Sequence, residues 1–167
     1  MNHDQQRAFT LIELLVTLTI LVVLLKIALP TFESWRQSNR EEALRHLLVA
    51  YVHQARLQAI VTNRTHQLCG SSNGIACNGD WNRNWLILAD GSNVPFQHQQ
   101  IVPGSTLCWR GFGAHIAFRP NGTTTSNGRF ALCRGGKASW QLVLNRQGRV
   151  RLAGSDEPNN CCATGHT

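Results

Sequence analysis

Residues 9–29 read FTLIELLVTLTILVVLLKIAL, an apolar run that carries two charges, Glu13 and Lys26. At 1.5 Å per residue, a helix of this length measures about 30 Å, which matches the hydrocarbon core of a bilayer. Lys26 lies near enough to one end for its ammonium group to reach water. The polar leader MNHDQQRA, residues 1–8, precedes the run, and no A-x-A cleavage site follows it. We therefore predict a retained helix that crosses a membrane.

Glu13 is the unusual residue of this run. An unpaired carboxylate inside a membrane costs roughly 2.5–3.5 kcal/mol on insertion scales. Pairing of the carboxylate would remove this cost. The alternative interpretation is a charge that is tolerated near the membrane edge.

The composition divides the chain at Cys69. All 14 glycines follow this residue, and Pro30 is the one proline that precedes it. This distribution predicts one long helix from residue 9 to about residue 62, followed by a region rich in turns and strands. The net charge of +7 favours an anionic partner such as nucleic acid, anionic lipid or acidic protein.

The second half of the predicted helix is amphipathic. Apolar residues from Phe32 to Ala59 recur at spacings of three and four, which places them on one face. We predict that this face packs on a globular core. Charged residues are predicted mostly on the opposite face, namely Arg40, Glu41, Glu42, Arg45, His46 and Arg56.

After Thr65 the sequence predicts β-strands separated by turns. The segment NGTTTSNG, residues 121–128, is predicted to be an exposed loop. The predicted fold class is α+β, with a long helix, membrane-spanning in its first half, packed on an antiparallel β-sheet. The short apolar runs that predict strands are 65–69, 85–89, 114–118, 129–133, 138–144 and 149–152.

Six cysteines favour disulfides. They form no CxxC pair, and no histidine lies at finger-like spacing from them, which argues against a zinc site. A preceding membrane segment favours an oxidising compartment, with buried free thiols as the alternative. Proximity favours Cys69 with Cys77, and Cys133 with Cys161 or Cys162, and the adjacent pair is not expected to bond to itself. The sixth cysteine, Cys108, receives no predicted partner.

The leader followed by FTLIELL resembles the processing signal of type IV pilins and type II secretion pseudopilins. The resemblance implies that a prepilin peptidase cuts between Ala8 and Phe9 and methylates the new amine, with Ala8 where the family usually has glycine. It also implies that Glu13 pairs with the N-terminal amine of a neighbouring subunit, and that Pro30 lies where many pilin helices bend. The implied partners are other minor and major pilins, the peptidase and the bacterial inner membrane.

Three later stretches are similar to the GspH/FimT branch of minor pilins: residues 68–90, FALCRGG at 130–136 and WQLVLNRQGRVRLA at 140–153. The resemblance implies a type IV pilin-like fold, and some members of the branch bind DNA during natural transformation. The predicted segments are a leader at 1–8, a transmembrane and assembly helix at 9–30, an amphipathic helix at 31–62, and a β-rich periplasmic domain with a C-terminal tail at 63–167.

WQLVLNRQGRVRLA also predicts a hairpin from its residues alone. If Leu144 opposes Val150, the apolar residues of both strands, including Leu152, share one face and residues 146–148 form the loop. Gly148 then occupies the loop position that needs a positive φ.

In this register, Arg149 and Arg151 point off the core, roughly 6.6–6.8 Å apart. One DNA strand presents a phosphate about every 3.4 Å, so this spacing can meet alternate phosphates. The alternative is a solvated sheet edge that is kept basic to prevent edge pairing. Two further basic residues of CRGGK are predicted at the other end of the strand pair. The predicted residues for binding double-stranded DNA are Arg134, Lys137, Arg146, Gly148, Arg149 and Arg151.

No catalytic motif accompanies these features. The seven histidines are scattered, and the sequence contains no Walker loop, GxSxG or HExxH. We therefore predict a non-enzymatic protein without a cofactor or metal. The leading hypothesis is a minor type IV pilin that binds double-stranded DNA and supports natural transformation. The alternatives are a type II secretion pseudopilin and a minor pilin that primes assembly of an adhesive or motility pilus.

Overall fold

The computed structural model describes residues 10–92, 95, 97–100, 106–154, 157 and 161–162, with the backbone alone described for 97–100. The predicted leader and the cleavage site between Ala8 and Phe9 lie outside the described residues. The chain forms two compact units, one up to Arg40 and one from Glu41 onward.

Helix α1 spans Leu11–Thr62 and contains Pro30, which confirms the predicted long helix. The Thr10 hydroxyl oxygen accepts a hydrogen bond from the backbone N–H of Glu13 at 3.3 Å, which caps the first turn. At the other end, Asn63 has a φ of 51°, a left-handed conformation that ends the helix.

The first unit is an apolar helical segment. Its large apolar side chains between Leu11 and Leu29 are 46–78% exposed. By its length and composition, α1 is able to cross a membrane. The extent of exposed apolar surface indicates that lipid or other helices cover this segment in its natural setting.

The second unit contains α1 from Glu41 onward and two four-stranded antiparallel sheets. The first sheet has the order β3-β2-β1-β5, and the second has the order β4-β6-β7-β8. The strands are β1 (His66–Ser71), β2 (Asn84–Ala89), β3 (Gln97–Gln100), β4 (Thr106–Gly111), β5 (His115–Phe118), β6 (Gly128–Arg134), β7 (Lys137–Leu144) and β8 (Val150–Ala153).

The core of this unit joins α1 to both sheets. Leu48, Tyr51 and Ala55 on the helix are buried in one cluster with Trp85 of the first sheet and Trp140 of the second. The period of three and four therefore identified the packing face correctly over this part of the helix. The α+β fold class, a long helix packed on antiparallel sheet, is confirmed.

Glu41 corrects the predicted polar face of the helix. Its side chain is buried, with 6% of the residue exposed, and Oε1 lies 3.2 Å from Arg134 Nη1. Its backbone carbonyl accepts a hydrogen bond from the Trp140 indole at 2.8 Å. Ion pairing makes this burial tolerable, and the helical period alone does not reveal such a partner.

The strand prediction was correct for six of the eight strands and missed β3 and β4. The sequence of β3, QHQQ, has no apolar alternation. We expected one sheet, but strands β4 and β5 are consecutive in sequence and belong to different sheets. The chain crosses between the two sheets at three successive connections, from β3 to β4, from β4 to β5 and from β5 to β6.

The segment 121–128 is largely a loop, as its composition predicted, but it is exposed only at Asn121, Thr125 and Asn127. Thr124 and Ser126 are each 4% exposed, and Thr124 forms an isolated bridge with Phe118. The segment is covered because the Arg146 carbonyl accepts a hydrogen bond from the Thr124 N–H at 2.9 Å. Leu152, predicted on the core face, is 56% exposed because β8 is the outermost strand of its sheet.

Candidate nucleic-acid interface

The hairpin of β7 and β8 has the predicted register, with Leu144 opposite Val150. The Gly148 N–H donates to the Asn145 carbonyl at 3.0 Å, and Gly148 has a φ of 72°. Asn145 also closes the loop with its side chain, because Oδ1 accepts a hydrogen bond from the Arg149 N–H at 2.9 Å. The loop therefore fixes the backbone on both sides of Gly148.

Arg56 of α1 anchors this loop through two hydrogen bonds to backbone carbonyls. Its Nε donates to the Gly122 carbonyl at 2.9 Å, and its Nη1 donates to the Gly148 carbonyl at 3.5 Å. Gly148 itself is buried, so it is a structural residue of the hairpin, whereas Arg146 and Arg149 are exposed. The predicted cations thus project from a loop whose backbone is anchored to the helix.

Replacing Gly148 with alanine should lower the free energy of unfolding by about 2–4 kcal/mol. The new Cβ would lie 2.6 Å from the Gly122 carbonyl oxygen, on a backbone with positive φ. Gly91→Ala is the matched control, because Gly91 has a φ of 76° but a Cβ there meets nothing within 4 Å. Chemical denaturation measures both, and equal losses for the two variants would contradict the close contact at Gly148.

The hairpin arginines continue into a row across the outer face of the second sheet, the face opposite the core. Arg110 pairs with Arg129, Arg129 with Val143, and Val143 with Arg151. Directly paired residues of antiparallel strands project to the same face. Neighbouring strands lie about 4.7–4.9 Å apart, so three arginines fall within one row four strands wide.

A second row lies next to the first, at the end of the sheet that carries the hairpin loop. It contains Phe112, Asn127, Asn145 and Arg149. The Phe112 N–H donates to the Asn127 carbonyl at 3.2 Å, and the Asn145 N–H donates to the Arg149 carbonyl at 3.1 Å. Arg146, which follows Asn145, links the two pairs, because its Nε donates a hydrogen bond to Asn127 Oδ1 at 3.5 Å. Phe112 is 74% exposed, so an aromatic side chain shares this end of the sheet with the arginines.

The described residues that follow β8 contact the other part of the outer face, namely Gly154, Glu157, Cys161 and Cys162. Gln141 of β7 is fully buried, and its Nε2 donates to the carbonyls of Gly154 and Glu157 at 3.0 and 2.9 Å. The Glu157 carboxylate contacts Arg129 Nη2 at 2.8 Å and Arg151 Nη1 at 3.2 Å. The hydrogen bond and charge of Arg151, together with those of Arg129, lower the pKa of Glu157, which is therefore ionised at neutral pH.

Three disulfides are present. Cys69 bonds to Cys77, the pairing that sequence proximity favoured. Cys133 bonds to Cys162, and the remaining bond joins Cys108 to Cys161. The adjacent cysteines thus connect the tail to β6 and β4, which are neighbouring strands of the second sheet.

The structure places Arg134 and Lys137 away from the hairpin loop. They pair with each other where β6 turns into β7, at the opposite end of the sheet. Because β7 contains Lys137–Leu144, this end lies about 25 Å from the loop at 3.2–3.4 Å per residue. Arg134 also contacts Glu41, so its charge is partly compensated. The five predicted basic residues therefore lie in two groups at opposite ends of the strand pair, as the sequence predicted.

Sequence reasoning missed Arg110 and Arg129, which lie on the arginine row. Arg129 was within a predicted strand, but its place on the row depends on its pairing with β7. Arg110 lies on β4, a strand that was not predicted. Among the described residues, no group of three or more His, Cys, Asp or Glu side chains could hold a metal ion.

Comparison with known families identifies the chain. The model for the type II transport protein GspH matches residues 46–148, which is more than half of the sequence. The chain belongs to the GspH family. A second model, the prokaryotic N-terminal methylation motif, matches residues 4–28 of this GspH-family chain.

Solved structures place the GspH-family chain among minor pilins and pseudopilins. The type IV minor pilin FimU of Pseudomonas aeruginosa is similar, with 27% identity and a TM-score of 0.56 over 79% of this chain and 98% of that chain. The minor pseudopilin EpsH of Vibrio cholerae shares the fold at 12% identity, with a TM-score of 0.54 over 72% of this chain and 99% of that chain. A search of functionally curated proteins found no match.

Family membership has direct consequences for partners. Pilins and pseudopilins are structural proteins that associate with other pilins, and the methylation motif is the signature of prepilin peptidase processing. The apolar N-terminal segment agrees with a membrane-anchored pilus component. The resemblance inferred from the sequence is thus confirmed at the level of the family.

Proposed function

We propose that this chain is a minor type IV pilin that binds double-stranded DNA and supports DNA uptake in natural transformation. The observation that carries the proposal is the exposed pair Arg146 and Arg149 on an anchored loop, at the end of a sheet face that also bears Arg110, Arg129 and Arg151. The protein acts by binding and has no enzymatic role.

The surface is suited to phosphate rather than to base recognition. Guanidinium groups bind phosphate oxygens through paired, charge-assisted hydrogen bonds. The described part of the face is a sheet with short turns, and it presents no helix for insertion into the major groove. DNA binding should therefore be nearly independent of sequence, because phosphate contacts position the duplex without reading it.

The proposal includes a location and a mode of maturation. Prepilin peptidase cuts between Ala8 and Phe9, the apolar part of α1 anchors the chain in the bacterial inner membrane, and the β-rich part lies in the periplasm. Glu13 then pairs with the terminal amine of a neighbouring major or minor pilin in the filament. The match to the methylation motif supports these steps.

The second candidate function is that of a type II secretion pseudopilin, which the description of the matching family favours. A minor pilin that primes pilus assembly without binding DNA is a third form of the same structural role. Both need the N-terminal helix, but neither needs the arginines of the hairpin. DNA binding is therefore the property that separates the proposal from its alternatives.

Replacing Arg146 and Arg149 with glutamine should weaken duplex DNA binding about tenfold near 0.1 M salt. It should also reduce the slope of log K against log salt by about 1.8, at about 0.9 for each lost phosphate contact. Arg151 is left unchanged because Glu157 already engages it. The measurement is a salt titration of full-length chain in non-ionic detergent with a short duplex.

The matched control removes two other exposed arginines, Arg64 and Arg83, for the same change in net charge. This variant should keep most of the affinity and nearly the whole slope. Equal losses in the two variants would mean that net charge, not the hairpin, controls binding. A wild-type chain that fails to bind DNA at low salt would favour the pseudopilin function.

A further inference from the structure

Glu157 bridges two arginines of the outer face. One carboxylate oxygen lies 2.8 Å from Arg129 Nη2, and the other lies 3.2 Å from Arg151 Nη1. A DNA phosphodiester also presents two anionic oxygens, and arginine binds both groups through the same charge-assisted geometry. The carboxylate thus occupies a position that a phosphate fits.

The two arginines form a built site rather than a chance contact. They lie on β6 and β8, on either side of Val143, in the row that continues from the hairpin. Arg129 is held in place because its Nη1 donates to Gln141 Oε1 at 2.8 Å, and its side chain is 24% exposed. Arg151 is 60% exposed and open to a ligand from solvent.

The backbone and the side chain of Glu157 are held differently. The backbone carbonyl accepts a hydrogen bond from the fully buried Gln141, and Cys161 and Cys162 tie the tail to the sheet. The side chain is 35% exposed, so its carboxylate has access to water. The carboxylate can therefore leave the arginines by side-chain rotation while the backbone of Glu157 stays in place.

We propose that Arg129 and Arg151 form a phosphate-binding site, and that Glu157 fills this site until a phosphate of bound DNA displaces its carboxylate. The inference rests on the proposed function, since it extends the surface of the hairpin by one site. Glu157 acts as an internal competitor: it keeps two arginines from contributing their charge until DNA is bound at Arg146 and Arg149.

Glu157→Gln should raise the affinity for duplex DNA about three- to tenfold, because ion pairs that solvent reaches are weak individually and two are relieved together. The slope of log K against log salt should become steeper by up to about 0.9, because the wild-type carboxylate takes up a counterion when a phosphate displaces it and glutamine does not. Glutamine keeps the size of the side chain and removes its charge. The assay uses full-length chain in non-ionic detergent and a short duplex.

Glu33→Gln is the matched control. Glu33 pairs with Arg36 at 3.2 Å on the helix, and its replacement makes the same change in net charge. This variant should shift affinity less than twofold. Adding Arg151→Gln to Glu157→Gln should return both affinity and slope to about the wild-type values, which assigns the gain to the site. Thermal unfolding of each variant shows whether the fold is retained, and Glu157→Ala serves as a second variant should Glu157→Gln not fold.

The possible results separate the two proposals. A gain in Glu157→Gln that Arg151→Gln removes supports the phosphate site. Unchanged affinity in Glu157→Gln, in a chain whose hairpin variant loses binding, overturns the site and leaves the proposed function intact. Binding by Glu157→Gln but not by wild type supports the site and overturns the function proposed for the natural chain. Binding by neither overturns both.

Discussion

Glu13→Ala should leave the chain in the membrane but lower its incorporation into filaments at least tenfold. Loss of one partner from a buried ion pair costs about 3–5 kcal/mol, because the other charge remains buried without compensation. Here the charge that remains is the proposed N-terminal amine of the neighbouring subunit. Membrane insertion itself should become easier by roughly 2.5–3.5 kcal/mol.

The structure makes this substitution a clean test. The cap at Thr10 uses the backbone N–H of Glu13, which alanine retains, so the start of α1 should not change. Glu33→Ala removes a carboxylate from the same helix outside the apolar run and should assemble normally. The amount of each variant in sheared filaments measures its incorporation, and the amount in membrane fractions measures its retention in the membrane. Normal incorporation of the Glu13 variant would exclude the proposed contact.

Replacing Cys161 and Cys162 together with serine should produce the largest loss of stability among these variants. The two bonds close segments with sequence separations of 53 and 29 residues. On a chain-entropy model they contribute about 4.2 and 3.6 kcal/mol when each is taken alone. Because the two closed segments overlap, the combined loss should be smaller than the sum, about 5–7 kcal/mol.

The bond between Cys69 and Cys77 provides the comparison. It closes a separation of 8 residues, for which the same model gives about 2.5 kcal/mol. Replacing both cysteines of this pair should therefore cost at most about half as much free energy of unfolding as removing the tail bonds. Denaturant titrations of the oxidised proteins measure the difference. A larger loss at the short loop would mean that packing rather than chain entropy dominates the contribution of these bonds.

The hairpin register could be predicted because its information is local. Alternating apolar residues fix which face is buried, and Gly148 fixes where the chain turns. The helix could be predicted for a related reason, since its apolar period extends over many turns. These features need no knowledge of any distant part of the chain.

The rest of the candidate site depends on contacts between distant residues. Arg129 joins Arg151 through pairing with β7, and both meet Glu157 through a tail whose path the sequence does not indicate. Glu41 is buried because Arg134, far along the chain, lies within reach of its carboxylate. The β4 strand and its bond from Cys108 to Cys161 depend equally on the tertiary fold. Composition and periodicity do not contain this information.

The bond between Cys108 and Cys161 also decides how the chain responds to mechanical load. Tension between the two chain ends passes through this covalent link, so the 53 residues that it spans cannot be drawn out. At 3.3–3.6 Å per residue, the bond therefore prevents about 180 Å of chain from contributing to extension. The hairpin with Arg146 and Arg149 lies wholly between Cys108 and Cys161. A subunit stretched between its chain ends would lengthen outside this segment, and the surface proposed to hold DNA would be protected from extension.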